Sequence, residues 1–261
     1  MHLARQGKLN CTILEPGSDR EWQVHAVDRI FACLETLDLA ERPLSMLELQ
    51  RGLGIPLSSL ASTLRALVEC GYLHHDRSTR TYAPTILLAD LGGWVASRYA
   101  PGKAIQKAAE EIAERTGENV AIAHRNDIRL QYLFFIPGKN LSPTIRVGTT
   151  RLLCRSGLGW ALMTFLGPRA IQSIVRRTNT AVATEDLVEL VPLVSMVERC
   201  REDGYVRALH TVRTGYGVIA MPFRDSKLEL AIGVSSYAER LVAHEAQLVA
   251  VMKQALARAR E

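Results

Sequence analysis

The chain has 261 residues, 48% hydrophobic, 23% charged and 6% aromatic, which excludes disordered, collagenous and coiled-coil classes and points to two domains of roughly 100–200 residues. No run reaches the ~18 apolar residues of a membrane helix and residues 1–23 hold no apolar signal core; five scattered cysteines without CxxC spacing read as reduced thiols of a cytoplasmic protein with no zinc site. The net charge is +5, yet residues 1–90 hold 9 Lys/Arg against 11 Asp/Glu, so a surplus of +7 lies in residues 91–261.

Residues 1–22 mix Gly, Pro and charge without period and read as a disordered tail. Val27, Ile30, Phe31, Leu34 and Leu37 then follow helical spacing. Leu39 to Leu44 is read as a loop, and Ser45 with Glu48 three residues on is a capping box opening a short helix that stops near Gly52 and Gly54. Pro56 opens a third helix with the stripe Leu57, Leu60, Ala61, Leu64, Leu67 and Val68, ended by Gly71. Two short strands around Asp76–Thr79 follow, then a helix from about Thr85 to Tyr99 broken at Pro101. Three helices, a hairpin and an exit helix give the order of a winged helix-turn-helix.

From Pro101 the chain changes character. A helix stops at Gly117; strands are expected at 119–125, 130–137 and near 144–148. Helices follow at 156–166, at 168–177 and from Leu187 to Gly204, then strands at 205–209, 217–223 and 228–235 and one last helix through Leu241 and Leu256. Strands grouped at both ends around central helices predict an α+β domain with an antiparallel sheet. The expected division is a tail (1–22), a winged helix-turn-helix (23–84), a linker helix (85–100) and a second domain (101–261).

With Leu57, Leu60, Leu64 and Leu67 inward, the third helix offers Ser58, Ser59, Ser62, Thr63 and Arg65 to solvent. Hydroxyls bond phosphates or base edges, and an Arg pairs with phosphate or guanine. Arg77 and Arg80 sit on the hairpin, where a wing meets the backbone or minor groove. A small packing module with a polar outer face has the same pattern.

The run LSMLELQRGLGIPLSSLASTLRALVECGYLHHDRSTRTY, within Val27 to Tyr82, resembles the DNA-binding domain of the IclR family of bacterial transcriptional regulators. LLCRSGLGWALMTFL, CREDGYVRALHTVRTGYGVIAMPFRD and LELAIGVSS resemble segments of its effector domain, in the same order, so the likeness spans about residues 24–260. It implies a winged helix-turn-helix joined by a helix to a GAF-like effector domain, a homodimer or dimer of dimers, a double-stranded, palindromic operator and a small organic acid or aromatic effector. Positions matching Gly157, Leu158, Val218, Gly233 and Ser235 help line the family's pocket. The chain departs from the family at Leu57, where a Lys is usual, at Ser62, where a basic residue is usual, and at Val218, often Cys. It departs again at Ala208, Leu209, His210 and Thr211, where acidic residues are usual.

Within the second module the last strand alternates: Leu228, Leu230, Ile232 and Val234 face one side, and Glu229, Ala231, Gly233 and Ser235 the other. The small face leaves volume for a ligand or packs closely on a helix. Arg155 precedes a helix start with free N–H groups, and Arg pairs carboxylates bidentately. Arg155 is therefore the expected partner of a carboxylate effector whose apolar body rests on Leu158 and Trp160. Arg146, Arg151, Arg207, Arg213 and Arg224 flank the same region or serve as surface charge. No catalytic residue, cofactor or metal is expected: His210 and Cys154 lack an orienting third group, and adjacent His74 and His75 on a strand point to opposite faces. A ligand-binding or scaffold protein of this fold that has lost DNA binding is the alternative, motivated by Leu57 and Ser62.

Overall fold

A computed structural model describes residues 26–139, 145–225 and 228–260. The expected tail lies outside them. The chain divides between Arg98 and Tyr99 into two compact units.

The first unit holds α1 (Ala26–Ala40), β1 (Leu44–Ser45), α2 (Met46–Leu53), α3 (Leu57–Glu69), β2 (Leu73–Asp76), β3 (Thr81–Pro84) and α4 (Ile86–Tyr99), whose last residue belongs to the second unit. Its core is a leucine cluster: Leu37, Leu49, Leu60, Leu64, Leu67 and Leu73, with Cys33, are all buried. The Ser45 box forms as expected. The Glu48 N–H donates to Ser45 Oγ at 3.3 Å, and the Ser45 N–H donates to Glu48 Oε2 at 2.9 Å. Arg42 adds a 2.9 Å ion pair to the same carboxylate. Gly71, at φ 80°, adopts a left-handed conformation that a side chain would strain, and so lets Tyr72 N–H return to Leu67 O at 2.9 Å. The hairpin turn is tied by Asp76, which accepts from Ser78 N–H at 2.8 Å and Ser78 Oγ–H at 2.6 Å. The strand β1, read as loop, pairs Leu44 with Tyr82 and Ser45 with Thr81, giving a sheet ordered β1-β3-β2. Two residues carry no periodicity, so only the tertiary pairing reveals them.

The hydrogen bonds from the Ser45 backbone and hydroxyl and from Arg42 hold the Glu48 carboxyl at about 2. Because the folded state keeps Glu48 ionised to lower pH than the unfolded chain does, its contribution is complete above about pH 4.5 and is lost as pH falls toward 2. Ser45→Ala is expected to cost about 1 kcal/mol and to raise the Glu48 pKa. Urea denaturation at pH 7 and a carboxylate NMR titration check both; an unmoved midpoint and titration would refute the capping account.

The second unit holds α5 (Lys103–Thr116), β4 (Asn119–Asn126), β5 (Arg129–Ile136), β6 (Thr150–Leu152), α6 (Gly157–Met163), α7 (Pro168–Asn179), α8 (Leu190–Asp203), β7 (Val206–Leu209), β8 (Tyr216–Arg224), β9 (Glu229–Tyr237), α9 (Ala238–Ala243) and α10 (Glu245–Arg258). Its strands form an antiparallel sheet ordered β6-β5-β4-β9-β8-β7. Strand alternation divides the core in two. Ile122, Ile219, Met221, Ile232 and Val234 pack with α5, α9 and α10. Ala121, Ala123, Ala220 and Ala231 pack with α6, α7 and α8. Large residues on one face and small ones on the other let α6 lie close to the sheet.

Four expectations change. The strand placed near 144–148 starts at Thr150, because residues 147–148 form a turn; residue 144 is outside the described residues. The helix at 156–166 ends at Met163 in successive tight turns. Leu187 is 51% exposed and closes a 3-10 turn (Thr184–Asp186), so α8 starts three residues later. The last helix is two, broken at His244, whose φ is −117°. No helix among the described residues is long and apolar enough to cross a membrane.

Candidate functional site

In α3, Leu60, Leu64 and Leu67 are buried, while Ser58, Ser62 and Arg65 are exposed and Ser59 is half-buried. Two expectations reverse. Thr63 is 7% exposed, its hydroxyl donating to Ser59 O at 2.9 Å, so it offers nothing to a partner. Leu57 is 42% exposed. The physical reason is rotational: residues 60, 63, 64 and 67 form an i, i+3, i+4, i+7 stripe, whereas 57, 61 and 65 lie on an adjoining ridge. Arg77 and Arg80 are exposed in the hairpin turn. Among the described residues Arg65, Arg77 and Arg80 have no ion pair, so their charge stays available to a partner.

The wing is set by Asp76, which the Ser78 and Thr79 hydrogen bonds hold at about 2, and by His75 stacked on Tyr82 with ring centroids 4.4 Å apart. His74, next in the strand, is exposed. The two imidazoles therefore diverge, as strand alternation requires.

In the second unit the structure brings four expected ligand residues into one contact. A Cβ on Gly233 would lie 2.9 Å from Val218 Cγ2 and 3.1 Å from Leu158 Cδ2, and a Cβ on Gly157 2.7 Å from Val218 Cγ1 and from Ala208 Cβ. Ser235 is half-buried and sits opposite Val218 in the β8–β9 ladder. Beside Gly233 the space is thus filled by Leu158 and Val218. The small face here serves close packing, which corrects the expectation of open volume at that point.

Arg155 leaves this cluster and pairs with Asp186 of the 3-10 turn at 2.6 Å. Trp160 is 9% exposed, its Nε1–H donating to Cys154 O at 2.7 Å, and belongs to the core. Arg207 pairs with Glu245, Arg224 with Glu229 at 2.6 Å, and Arg213 lies over the Tyr216 ring at 4.6 Å. The ion pairs of Arg155, Arg207 and Arg224 were illegible because each joins residues distant in sequence or on neighbouring strands. Cys154 is buried, which pushes its thiol pKa up, and contacts Thr178 Oγ1 at 3.5 Å. His210 is exposed in the β7–β8 hairpin and accepts the Gly215 N–H at 3.0 Å. These contacts do not assemble a base–nucleophile pair.

Sequence reasoning missed an open cavity of about 330 Å³ lined by Arg169, Gln172, Ser173, Val175, Arg176 and Leu190. Its signal was present: Arg169 and Arg176 are seven residues apart on one face of α7.

Residues 101–261 match a sequence profile described as "Bacterial transcriptional regulator IclR C-terminal", and residues 26–77 one described as "IclR helix-turn-helix domain". Among curated proteins, the HTH-type transcriptional regulator KipR of Bacillus subtilis is 22% identical over 207 residues, covering 77% of this chain and 81% of that one. XynR of Escherichia coli is 21% identical over 222 residues, covering 84% and 88%. The crystal structure of the Thermotoga maritima IclR superposes with a TM-score of 0.69 at 17% identity, covering 89% of this chain and 96% of that one. An IclR homolog from Microbacterium hydrocarbonoxydans, complexed with 4-hydroxybenzoate, superposes with a TM-score of 0.65 at 18% identity, covering 90% and 97%. At these identities the solved structures show a shared fold.

Proposed function

The chain belongs to the IclR family of bacterial transcriptional regulators, proteins that control transcription and are not enzymes, and from that premise we propose an operator-binding regulator switched by a small carboxylic acid. Residues 23–84 read DNA in the cytoplasm, 85–100 transmit, and 101–261 bind the effector. The observation that carries the DNA half is the outward face of α3, with Arg65 free to reach a base or phosphate, beside the exposed Arg77 and Arg80 of the wing. Three such cations per copy give a modest counterion-release contribution; a homodimer, or a dimer of dimers, multiplies it on a palindromic site. Binding to the DNA upstream of its own gene, at two salt concentrations against unrelated competitor, tests this. Specific binding that falls steeply with salt is expected. Its absence, at low salt and with carboxylic acids supplied, would instead favour the ligand-binding scaffold to which the charge-poor α3 also lends itself.

The effector half rests on the family likeness, which gives ligand-lining roles to Gly157, Leu158, Val218, Gly233 and Ser235, packed closely around Gly233, and on Arg155 two residues before α6. The 4-hydroxybenzoate held by the Microbacterium homolog has the matching chemistry, a carboxylate on an apolar ring. To reach Arg155 such a carboxylate must compete with Asp186. Asp186→Asn is therefore expected to tighten carboxylate binding a few-fold, the worth of a partly exposed ion pair, and to leave the amide analogue unchanged; Arg155→Ala abolishes that preference. Calorimetric titration of both variants checks it, and equal affinities for acid and amide in the unmodified protein would refute the assignment.

A further inference from the structure

We propose that Leu57 reads sequence: its side chain meets a thymine C5-methyl group in the major groove of each operator half-site. This rests on the operator-binding reading above and specifies what that face recognises.

The placement of Leu57 is the starting point. It is the first residue of α3 and is 42% exposed, while every other leucine of that helix is buried. Its ridge continues through half-buried Ala61 to exposed Arg65, and Ser58 and Ser62 flank it. A leucine is thus the only large apolar group on an otherwise hydroxyl-bearing and cationic face. In helix-turn-helix proteins the N-terminal residues of the second helix are the ones that contact base edges.

Groove chemistry then selects the partner. The major groove presents hydrogen-bonding groups at every base pair and one apolar group, the thymine methyl. An isobutyl side chain cannot bond N7, O6 or N4. Set against a G·C pair it would strip water from those atoms and give nothing in return, which is costly. Set against thymine it buries methyl against methyl. The economy of charge on this unit strengthens the argument. With few phosphate contacts per copy, base-edge contacts carry a larger share of specific affinity. Ser58 and Ser62 add hydroxyls that bond either donors or acceptors, and so tolerate several bases; Leu57 does not.

The experiment uses the full-length protein and a site recovered by selection from random duplex DNA. Each thymine of the site is replaced in turn by deoxyuridine, which removes only the methyl group. A replacement in one half-site alone is expected to weaken binding about fourfold, and the symmetric pair about 15-fold, the value of one or two buried methyls. Leu57→Ala, at an exposed position, is expected to melt like the unmodified protein and to bind the thymine and deoxyuridine sites equally. Leu57→Lys is expected to reselect guanine at that position, since Lys pairs with O6 and N7. Specific binding that is indifferent to every deoxyuridine replacement would overturn the proposal, as would Leu57→Ala keeping the methyl dependence. Failure to recover any specific duplex would overturn the operator-binding reading itself and the proposal with it.

Discussion

Gly159→Ala is expected to melt the second unit far below the unmodified protein, with a loss of about 3 kcal/mol or more. The reason is backbone meeting backbone. A Cβ at Gly159 would lie 2.7 Å from Leu153 C and 2.8 Å from Leu153 Cα, distances that real Cβ atoms do not show. Leu153 cannot retreat: it is fully buried at the start of the 3-10 turn (Leu153–Arg155) that feeds α6. The same segment is pinned by Trp160 N–H to Ser156 O at 2.9 Å and Trp160 Nε1–H to Cys154 O at 2.7 Å. A shift that admits a methyl group breaks one of these or opens the core around Leu158 and Leu162. Since whole domains are stable by only about 5–15 kcal/mol, a loss of this size is visible in any thermal scan. Gly92 and Gly93 supply the opposite control. They lie inside the unbroken α4 with nothing within 4 Å of a Cβ, and alanine there favours the helix by about 1 kcal/mol each. Circular dichroism at 222 nm compares the variants. A Gly159→Ala protein melting within a degree or two of the parent would show that the turn relaxes freely.

What was legible in the sequence follows from the range of the forces. Local chemistry was readable: the Ser45–Glu48 box, the Pro56 helix start, the Gly204 stop and the alternation of β9 all arise within a few residues. The two-unit order and the antiparallel α+β class followed from their sum. Thr63 and Leu57 were exchanged because a polar residue within a leucine stripe was assigned by its type and not by its angle on the helix. The spacing alone could not decide, since 57, 60, 61 and 64 form an i, i+3, i+4, i+7 stripe as well as 60, 63, 64 and 67 do. The β1 pairing and the Arg155–Asp186 bridge depend on tertiary partners, and no window of sequence contains them. In the candidate effector site, the resemblance grouped residues 157, 158, 218 and 233 correctly in space, yet which of them fills the gap beside Gly233 is a question of side-chain volume across two elements.

Trp94→Glu is expected to convert the protein to a monomer and to weaken operator binding about 100-fold. The 14-residue α4 buries no residue. Leu87, Leu91, Trp94 and Val95 follow i, i+4, i+7, i+8 spacing, so they share one face, and they are 39%, 61%, 67% and 39% exposed. Phe31 and Val27 of α1 add 53% and 59% exposed apolar surface in the same unit. An isolated helix of this length is marginal in water, most of its stability coming from a packed apolar face, and contiguous apolar surface of this kind marks an association site. The palindromic operator proposed above calls for a second copy of the chain as the partner, which would place two α3 helices on successive half-sites. A glutamate at position 94 buries an uncompensated charge in that interface, whereas Trp94→Phe keeps the apolar contact. Losing the dimer removes the second, effectively intramolecular binding event, which is worth 10²-fold or more. Sedimentation velocity reads the mass and a salt-dependent DNA titration reads the affinity. Trp94→Glu remaining dimeric would show that the association surface lies elsewhere. Trp94→Glu becoming monomeric with operator affinity intact would show that a single head suffices, and the two-head account of specificity would fall.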